Sequence, residues 1–374
     1  MNTAIKKAGT QRSIAYFISP HGFGHAARAC AVMEALLQKD NSFHFHIYTT
    51  VPRWFFKESL PVKAFTYHRL KSDVGLVQST PLDIDFPASL KQISGFLAFD
   101  SEKIRALAKE LINQKSRLII CDISPLGIVA GDTAEIPRVL VENFTWDWIY
   151  EPYIEILSDF EKIIGRLRVI YSLVEHRIQT QPACRPLPDT TRCAPVSRRS
   201  KSNPDKIRRK LGIPPAAKMA LISMGGIKVR YDFSRRLHDV DNVFFVIPQD
   251  TQKAQREKNL IILPHHSGFY HPDLVNAADV VIGKLGYSTV AEAWSFGVPF
   301  AYISRDNFRE SAALENFVKD NLPNMRIDPV DFVRGKWINE LIPLLDGKPP
   351  YIGKENGAIQ CAVEIEKILS VESG

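Results

Sequence analysis

The stretch Asp279-Val-Val-Ile-Gly-Lys-Leu-Gly-Tyr-Ser-Thr-Val-Ala-Glu292 decides the fold of this chain. A short apolar run ends at Gly283, a loop of small residues follows, and residues 288–296 have helical spacing. A strand that leads directly into a helix is the repeating unit of a parallel α/β sheet. Free backbone N–H groups at the start of such a helix favour an anionic ligand. The stretch therefore predicts an α/β domain with an anion site beyond this strand.

The same alternation of strand and helix occurs in both halves of the chain. Apolar runs with strand character occur at residues 14–18, 43–49, 62–67, 117–121 and 137–141, and again at 219–222, 243–247, 260–263, 280–282 and 300–303. One helical stretch is expected at residues 88–113. This alternation predicts the α/β class, with two doubly wound parallel-sheet (Rossmann-like) domains that face each other across a cleft.

The pattern weakens in a stretch rich in Pro, Arg and Ser, which marks a domain boundary. We expect an N-terminal Rossmann-like domain at residues 1–178, a basic linker at 179–214, a C-terminal Rossmann-like domain at 215–352 and a C-terminal helix at 353–374. Ligands of open parallel sheets bind beyond the carboxyl ends of the strands. We therefore expect the functional site in the cleft between the two domains.

The composition of the 374-residue chain is that of a globular protein, with 45% apolar and 24% charged residues. Its five cysteines are scattered and form neither a Cys-x-x-Cys pair nor a Cys/His cluster. We therefore expect no disulfide framework and no zinc site, and reduced thiols indicate the cytoplasm. No apolar run reaches the roughly 18 residues that a membrane span requires.

The net charge of +7 comes almost entirely from one segment. Residues 198–210 hold seven basic side chains and one acidic side chain, which gives this segment a charge of +6. The segment could be a solvated linker that leads into a helix, or it could bind an anionic membrane surface or a phosphorylated substrate. We expect no nucleic-acid partner, because neither a stacking motif nor a recognition helix accompanies the basic residues.

A glycine-rich loop, His21-Gly-Phe-Gly-His25, follows the first predicted strand. Glycines let the backbone approach a ligand closely, so we expect substrate contacts from Gly22, Phe23 and Gly24. The loop is not a dinucleotide fingerprint, since Ala27 occupies the third glycine position. An imidazole at the mouth of the cleft can act as a general base. His25 is the first candidate and His21 the competing one, with a structural role as the alternative.

Two further strands of the first half end in candidate residues. Asp122 follows an apolar run and could orient His25 or the acceptor, or it could simply cap a turn. Trp146 and Trp148 lie beyond another strand end and could stack against a sugar or pack in the core.

The loop that opens the helix of the 279–292 stretch is suited to a diphosphate. Small hydroxyls, backbone N–H groups and a cation bind phosphate, and the candidates here are Lys284, Gly286, Tyr287, Ser288 and Thr289. Ser288 also fits a helix N-cap, which is its alternative role. Glu292 lies one turn inside the helix, where its carboxylate can accept two hydrogen bonds from a ribose diol.

At this point a resemblance to a known superfamily is visible. Gly286-Tyr-Ser-Thr-Val-Ala-Glu292, followed by Ala293-Trp-Ser-Phe-Gly-Val-Pro299, resembles the donor-binding motif of GT-B glycosyltransferases, especially the bacterial N-acetylglucosaminyl transferases of peptidoglycan synthesis. His21-Gly-Phe-Gly-His-Ala-Ala-Arg28 is similar to the first loop of two relatives, the glycosyltransferase-like half of plant L-arabinokinases and the nucleotide-sugar hydrolase of pseudaminic acid synthesis. Asn143-Phe-Thr-Trp-Asp-Trp148 also resembles the arabinokinase half.

The resemblance implies a role for each matching residue. Glu292 would hold the ribose hydroxyls, and His25 would activate an acceptor hydroxyl in a transferase or water in a hydrolase. Further substrate contacts are implied for Asn143, Trp146, Gly225, Gly226, Arg305, Asp306 and Glu310. The first loop lacks the Gly-Gly-rich form of the peptidoglycan enzymes, so acceptor recognition need not be shared.

These observations predict a metal-independent, inverting glycosyltransferase that moves a sugar from a nucleotide diphosphate, a UDP-sugar, to a hydroxyl acceptor. The nucleotide-sugar is a substrate, so no cofactor is expected. Two Asp-x-Asp triplets, Asp83-Ile-Asp85 and Asp239-Val-Asp241, do not follow predicted strand ends and are not expected to bind metal. The acceptor could be lipid-linked, with the protein peripheral to the inner membrane face. A nucleotide-sugar hydrolase and a non-catalytic nucleotide-sugar binding protein are the alternatives.

Overall fold

The computed structural model describes residues 11–77, 84–224, 233–249, 251–264, 267–305, 307–347 and 355–371. Within these segments the chain forms two seven-stranded sheets. The first contains β1 (Arg12–Ile18), β2 (Phe43–Thr49), β3 (Phe65–Arg69), β4 (Ile119–Asp122), β5 (Arg138–Glu142), β6 (His176–Thr180) and β7 (Thr191–Cys193). The second contains β8 (Lys218–Ser223), β9 (Val243–Gln249), β10 (Gln255–Glu257), β11 (Leu260–Pro264), β12 (Val280–Lys284), β13 (Phe300–Ile303) and β14 (Asn324–Ile327).

The strand order of the first sheet is β3-β2-β1-β4-β5-β6-β7, and that of the second is β10-β11-β9-β8-β12-β13-β14. Among the described strands, the pairing of β10 with β11 is antiparallel and the other pairings are parallel. In each sheet the order reverses next to the first strand, β1 or β8, which leaves a crevice beyond the carboxyl ends. The predicted α/β class with two doubly wound sheets is confirmed.

Helices connect the strands and cover both sheets. They are α1 (Phe23–Lys39), α2 (Arg53–Ser59), α3 (Phe86–Leu97), α4 (Ser101–Asn113), α5 (Pro125–Thr133), α6 (Trp146–Tyr150), α7 (Phe160–Tyr171), α8 (Pro204–Lys210), α9 (Ser234–Leu237), α10 (His271–Ala277), α11 (Tyr287–Phe296), α12 (Glu310–Asn321), α13 (Pro329–Arg334), α14 (Ile342–Leu345) and α15 (Gly357–Val371). Three short 3₁₀ helices occupy Val62–Ala64, Glu151–Glu155 and Lys336–Leu341. Within the described segments, no helix is both long and apolar enough to cross a membrane.

The structure differs from the sequence-based elements in three places. The helical stretch expected at residues 88–113 is two helices, because the chain leaves the helix after Leu97 and Asp100 caps α4 through the backbone N–H groups of Glu102 and Lys103. The strand expected at 62–67 begins only at Phe65, after a 3₁₀ turn. Four strands were not predicted, namely β6, β7, β10 and β14.

Two glycines shape the loops at the crevice. Gly22 has a φ of 80°, a left-handed conformation that favours glycine, and it directly precedes α1. A Cβ atom on Gly283 would lie 1.9 Å from the Ser223 carbonyl oxygen, so β12 can approach β8 this closely only with glycine there. The β1–α1 loop therefore depends on a glycine before the helix, and the β12–α11 loop depends on a glycine inside the strand that leads into it.

Helix α15 packs against the first sheet's helix α1 rather than against the second sheet. Its apolar face, with Ala358, Cys361, Ala362 and Ile365, is part of the same buried core as α1 and β1. At the rim, Lys39 of α1 and Glu366 of α15 form an ion pair at 2.9 Å. The chain thus returns to the first half after completing the second.

Candidate functional site

A cavity of about 440 Å³ lies between the two halves, beyond the carboxyl ends of the strands. The β1–α1 loop forms one wall and the β12–α11 loop the other. A Cβ atom built on Gly24 would lie only 3.7 Å from the Ser288 hydroxyl, so the two loops almost touch. The sequence-predicted residues that line this cavity are Gly22, Phe23, Gly24, His25, Asn143, Lys284, Gly286, Tyr287, Ser288, Thr289, Arg305 and Glu310.

His25 and Asp122 form a hydrogen-bonded pair at the first wall. The distance between His25 Nδ1 and Asp122 Oδ1 is 2.7 Å. Asp122 is ionised and can only accept, so Nδ1 carries the proton and Nε2 is left to accept one. His25 lines the cavity, whereas Asp122 is fully buried behind it. A general base oriented by a carboxylate has this geometry.

Arg28 holds the Asp122 carboxylate from its other side. Its Nε and Nη2 donate to Oδ2 and Oδ1 at 2.8 Å and 2.6 Å. Burial opposes ionisation of Asp122, but the Arg28 charge and these hydrogen bonds outweigh it and hold the pKa of the carboxyl below its usual value. Burial likewise opposes the charge on Arg28, and Asp122 raises the pKa of the guanidinium above its usual value. Both groups stay charged, which fixes the carboxylate that orients His25.

Asn143 connects this cluster to the second half of the chain. Its Oδ1 accepts a hydrogen bond from Arg28 Nη1 at 2.6 Å, and its Nδ2 donates to Glu310 Oε1 at 2.8 Å. Glu310 is the first residue of α12. Hydrogen bonds through Asn143 therefore connect the His25–Asp122–Arg28 cluster in the first half of the chain to Glu310 in the second half.

Two cationic side chains belong to the opposite wall. Burial and the neighbouring Arg305 lower the pKa of Lys284, the last residue of β12, to about 7. The Arg305 guanidinium lies 4.1 Å from the centroid of the Phe308 ring, and its buried Nε has no hydrogen-bond partner among the described residues. A buried donor without an acceptor is costly, and phosphate oxygens would supply acceptors. This wall is suited to an anion.

His21 lines the same cavity but has a different environment from His25. Burial, together with the charges of His25, Arg305 and Lys284, lowers the pKa of His21 to about 3. Its ring packs edge-on against Trp146, with centroids 5.4 Å apart. A base with so low a pKa takes up a proton weakly at neutral pH. The structure therefore favours His25 over His21 as the base.

Glu292 does not reach the cavity wall. It is 1% exposed, and its two oxygens contact Arg198 Nε at 3.0 Å and His271 Nδ1 at 3.1 Å. Burial opposes its ionisation, but the Arg198 charge and the two contacts lower the pKa of the Glu292 carboxyl. His271, the first residue of α10, also contacts the Ser223 hydroxyl at 3.0 Å. A ribose diol could reach Glu292 only by displacing one of these partners.

The basic segment at residues 198–210 is not one solvated patch. Arg198 is buried against Glu292, and its guanidinium lies 4.9 Å from the Phe55 ring centroid. Arg208 forms an ion pair with Asp279. The basic side chains of the segment that are exposed are those of Arg199, Lys201, Lys206, Arg209 and Lys210. Burial of a guanidinium is favoured here because a carboxylate and an aromatic ring both compensate it.

Trp146 lies outside the cavity. It is buried, its ring stacks on Tyr150, and its Nε1 donates to Asp73 Oδ2 at 2.6 Å. Trp146 therefore packs in the core, which was the alternative to stacking against a sugar. Trp148 also packs against protein, with the Arg309 guanidinium 4.1 Å from its ring centroid.

Some of the other residues named from the sequence lie in the described segments, and the remaining ones lie outside them. The N-cap role of Ser288 is wrong, because Gly286 occupies that position and no side chain caps α11. Gly225, Gly226, Asp306 and Asp83 lie outside the described residues. Asp85 caps α3 by accepting from the Ala88 backbone N–H at 2.9 Å. Among the described residues, no cluster of three His, Cys, Asp or Glu side chains could hold a metal ion.

Several cavity residues were missed by the sequence analysis. They are Arg28 and the uncharged residues Pro20, Thr50, Val51, Pro52, Phe144 and Phe308. Arg28 could have been found, since it interrupts an otherwise apolar helical run one turn after His25. The other residues carry no charge and reach the cavity only through tertiary structure.

Comparison with known proteins gives one similar curated sequence. The chain is 27% identical over 361 residues to an L-arabinokinase from Arabidopsis thaliana, and the alignment covers 95% of this chain and 34% of that protein. The chain therefore spans about a third of the length of this relative. No family model matches the chain.

Solved structures of glycosyltransferases share the architecture. The Arabidopsis thaliana UGT89C1 complex with UDP has a TM-score of 0.61 at 11% identity, covering 96% of this chain and 99% of that one. The spinosyn forosaminyltransferase SpnP has a TM-score of 0.57 at 14% identity, covering 96% and 99%. The glycosyltransferase VinC in complex with dTDP has a TM-score of 0.59 at 14% identity, covering 96% and 95%.

These likenesses identify the fold of the chain as GT-B, as its motifs predicted. The similarity to plant L-arabinokinase that was expected from the first loop is confirmed as well.

Proposed function

We propose that the protein is a glycosyltransferase that moves a sugar from a nucleotide-diphosphate donor, a UDP-sugar, to a hydroxyl acceptor, without a metal ion and with inversion. One observation carries the proposal: the His25–Asp122 pair and the Lys284–Arg305 pair belong to opposite walls of one cavity. Glycosyl transfer needs a base where the acceptor attacks and positive charge where the diphosphate leaves. The cavity offers both.

The acceptor hydroxyl would be activated by His25. Nε2 takes the hydroxyl proton while the oxygen forms its bond to the anomeric carbon of the donor sugar. The bond from that carbon to the diphosphate oxygen breaks in the same displacement, so the configuration inverts and the electron pair leaves with the nucleotide. Asp122 stabilises the imidazolium that results, as carboxylates paired with catalytic histidines do.

The leaving diphosphate would be bound at the second wall. Lys284 and Arg305 supply positive charge, and Ser288 and Thr289 lie in the first turn of α11, where the helix dipole favours an anion. In this proposal Glu292 is the ribose ligand, and the diol replaces its contact with the partly exposed His271. The UDP and dTDP complexes of the two structural neighbours support a nucleotide donor of this kind.

The proposal also covers the type of acceptor and the location of the protein in the cell. A lipid-linked acceptor would bring the protein to the inner membrane face from the cytoplasm. The surface that would then meet anionic lipid consists of the exposed basic residues Arg199, Lys206, Arg209 and Lys210.

A thermal-shift screen of nucleotides and nucleotide-sugars tests the donor site. A ligand at 100 times its Kd stabilises the fold by about 2.7 kcal/mol, so UDP or one UDP-sugar should raise the Tm of the wild type. Lys284→Met should lose most of this shift, whereas the exposed Lys103→Met is the matched control and should keep it. No shift with any nucleotide would contradict the donor site.

Incubation of the identified donor with and without candidate acceptors then tests the reaction. Sugar should move to a hydroxyl acceptor, and His25→Ala should slow transfer by about 10²–10⁴-fold while it keeps donor binding. Rapid release of free sugar without an acceptor would identify a hydrolase instead. Tight donor binding with no turnover of any kind would identify a binding protein.

A further inference from the structure

A second cavity, of about 240 Å³, lies on the other face of β5 from the His25–Asp122–Arg28 cluster. Successive side chains of a strand point to opposite faces, and Glu142 lines this second cavity while Asn143 bonds to Arg28. The remaining wall comes from α6, α7, β6 and the loop after β6, with Asp147, Arg168, Arg177 and Arg185 among its residues. The proposed glycosyl transfer assigns no role to this cavity.

Asp147 has an unsatisfied acceptor in this second cavity. The residue is 6% exposed, and its Oδ1 has no hydrogen-bond partner among the described residues. Its Oδ2 lies 3.8 Å from Arg168 Nε and 4.0 Å from Arg185 Nη1, distances beyond hydrogen bonding. A buried carboxylate oxygen without a donor is costly, so a ligand with a donor group would be stabilised here.

The arginines of the second cavity already have counter-ions. Arg177 pairs with Glu142 at 3.4 Å, and Arg168 pairs with Glu151 at 2.7 Å, with Arg185 3.9 Å from the same Glu151 oxygen. The missing partner is therefore a hydrogen-bond donor for Asp147 and not an anion for the arginines. The remaining guanidinium N–H groups can still donate to neutral oxygens.

We propose that the second cavity binds a neutral polyhydroxylated compound, a free sugar or the sugar unit of a larger molecule. One hydroxyl would donate to the Asp147 carboxylate, and the N–H groups of Arg168 and Arg185 would donate to other hydroxyl oxygens. The volume equals that of about eight liquid waters at about 30 Å³ each, which accommodates one sugar ring. Phe144 and Leu187 offer apolar surface to the carbon face of such a ring.

The second cavity adjoins the first through Phe144, which lines both. The centroid of its ring lies 5.9 Å from that of the His25 imidazole. A sugar in the second cavity would therefore lie against the same phenylalanine ring that packs on the histidine. The use of this sugar as the acceptor would rest on the proposed transferase function. The binding of a sugar in the second cavity does not rest on that function.

Isothermal titration calorimetry on the full chain tests this proposal. The probes are neutral pentoses and hexoses, with glucuronate and inorganic phosphate as anionic comparators. The wild type should bind at least one neutral sugar saturably with one site per chain. Asp147→Ala should weaken the binding of that sugar at least tenfold, and Arg185→Ala, at a half-exposed side chain, should weaken it at least threefold. The exposed Asp159→Ala, outside the second cavity, is the matched control and should bind as the wild type does.

Three results would overturn the proposal: no neutral sugar binds, binding is unchanged in both cavity variants, or only the anionic comparators bind. Two cross-checks separate this test from that of the donor site. Asp147→Ala should bind UDP as the wild type does, and Lys284→Met should bind the neutral sugar as the wild type does. A wild-type protein that binds the neutral sugar but does not bind UDP would contradict the donor site alone.

Discussion

Oδ1 of Asp122 lies 2.7 Å from Nδ1 of His25, although 97 residues separate the two along the chain. They meet because β1 and β4 are neighbours in the first sheet, with Ile18 opposite Asp122. The loop after β1 and the end of β4 therefore open at the same edge. The pairing of this imidazole with this carboxylate is thus a consequence of sheet order.

His25→Ala should lower kcat by about 10²–10⁴-fold, the usual contribution of a general base, and leave the Kd for UDP unchanged. The half-exposed His44→Ala on β2 is the matched control and should keep full turnover. The comparison needs steady-state rates with the donor and acceptor that the screens identify. Full turnover by His25→Ala would remove His25 from the mechanism.

Arg28→Met should destabilise the fold by about 3–5 kcal/mol, because it leaves the Asp122 carboxylate buried without its counter-ion. The midpoint of urea unfolding measures this loss. Lys162→Met, which breaks an exposed pair with Asp159, should leave the midpoint where it is. A variant at position 28 as stable as the wild type would show that Asp122 does not need the guanidinium.

The affinity for UDP-glucose should fall as the pH rises above 7. Burial and Arg305 place the pKa of Lys284 at about 7 in the free protein, so the cation is present below this pH and lost above it. A bound diphosphate favours the charged form, so affinity should drop by up to about tenfold per pH unit above 7. Titrations between pH 6 and 9 would measure the slope.

Lys284→Arg provides the control for this pH dependence, since arginine stays charged over the whole range. It should bind UDP-glucose with an affinity that varies much less with pH. An unchanged slope in this variant would assign the titration to another group.

Glu292→Gln should destabilise the fold by about 3–5 kcal/mol, because the buried Arg198 loses its carboxylate. Adding Arg198→Met should cost less than the sum of the two single changes, with a coupling energy of about 0.5–3 kcal/mol. Urea unfolding of the four proteins gives the cycle. Strict additivity would mean that the pair does not act as a unit.

The strands with continuous apolar runs were predictable, and so was the loop that leads from β12 into α11. β1 and β12 are buried along almost their whole length, and parallel strands covered on both faces read as such runs. β6 and β14 have the sequences His-Arg-Ile-Gln-Thr and Asn-Met-Arg-Ile, in which the polar side chains hide the strand. Their pairing depends on neighbours already in the sheet.

The candidate site was predictable where its residues follow strand ends, and not where a partner comes from elsewhere. Glu292 carries a sequence signal, but its partner Arg198 lies 94 residues away in a segment that reads as a solvated linker. The orientation of Trp146 could not be predicted from the sequence, because an aromatic residue beyond a strand end packs inward or outward according to its neighbours. Here the buried Asp73 accepts its N–H.

The packing of α15 on α1 has a consequence for biosynthesis. Helix α1 carries His25 and Arg28, and its outer face is covered by residues that the ribosome adds more than three hundred positions later. A nascent chain can therefore pair β1 with β4 early, but it cannot complete the core around α1 until α15 has emerged. We expect the helix that carries His25 to gain protection from proteolysis only after α15 has been synthesised, so chains truncated before α15 should be short-lived.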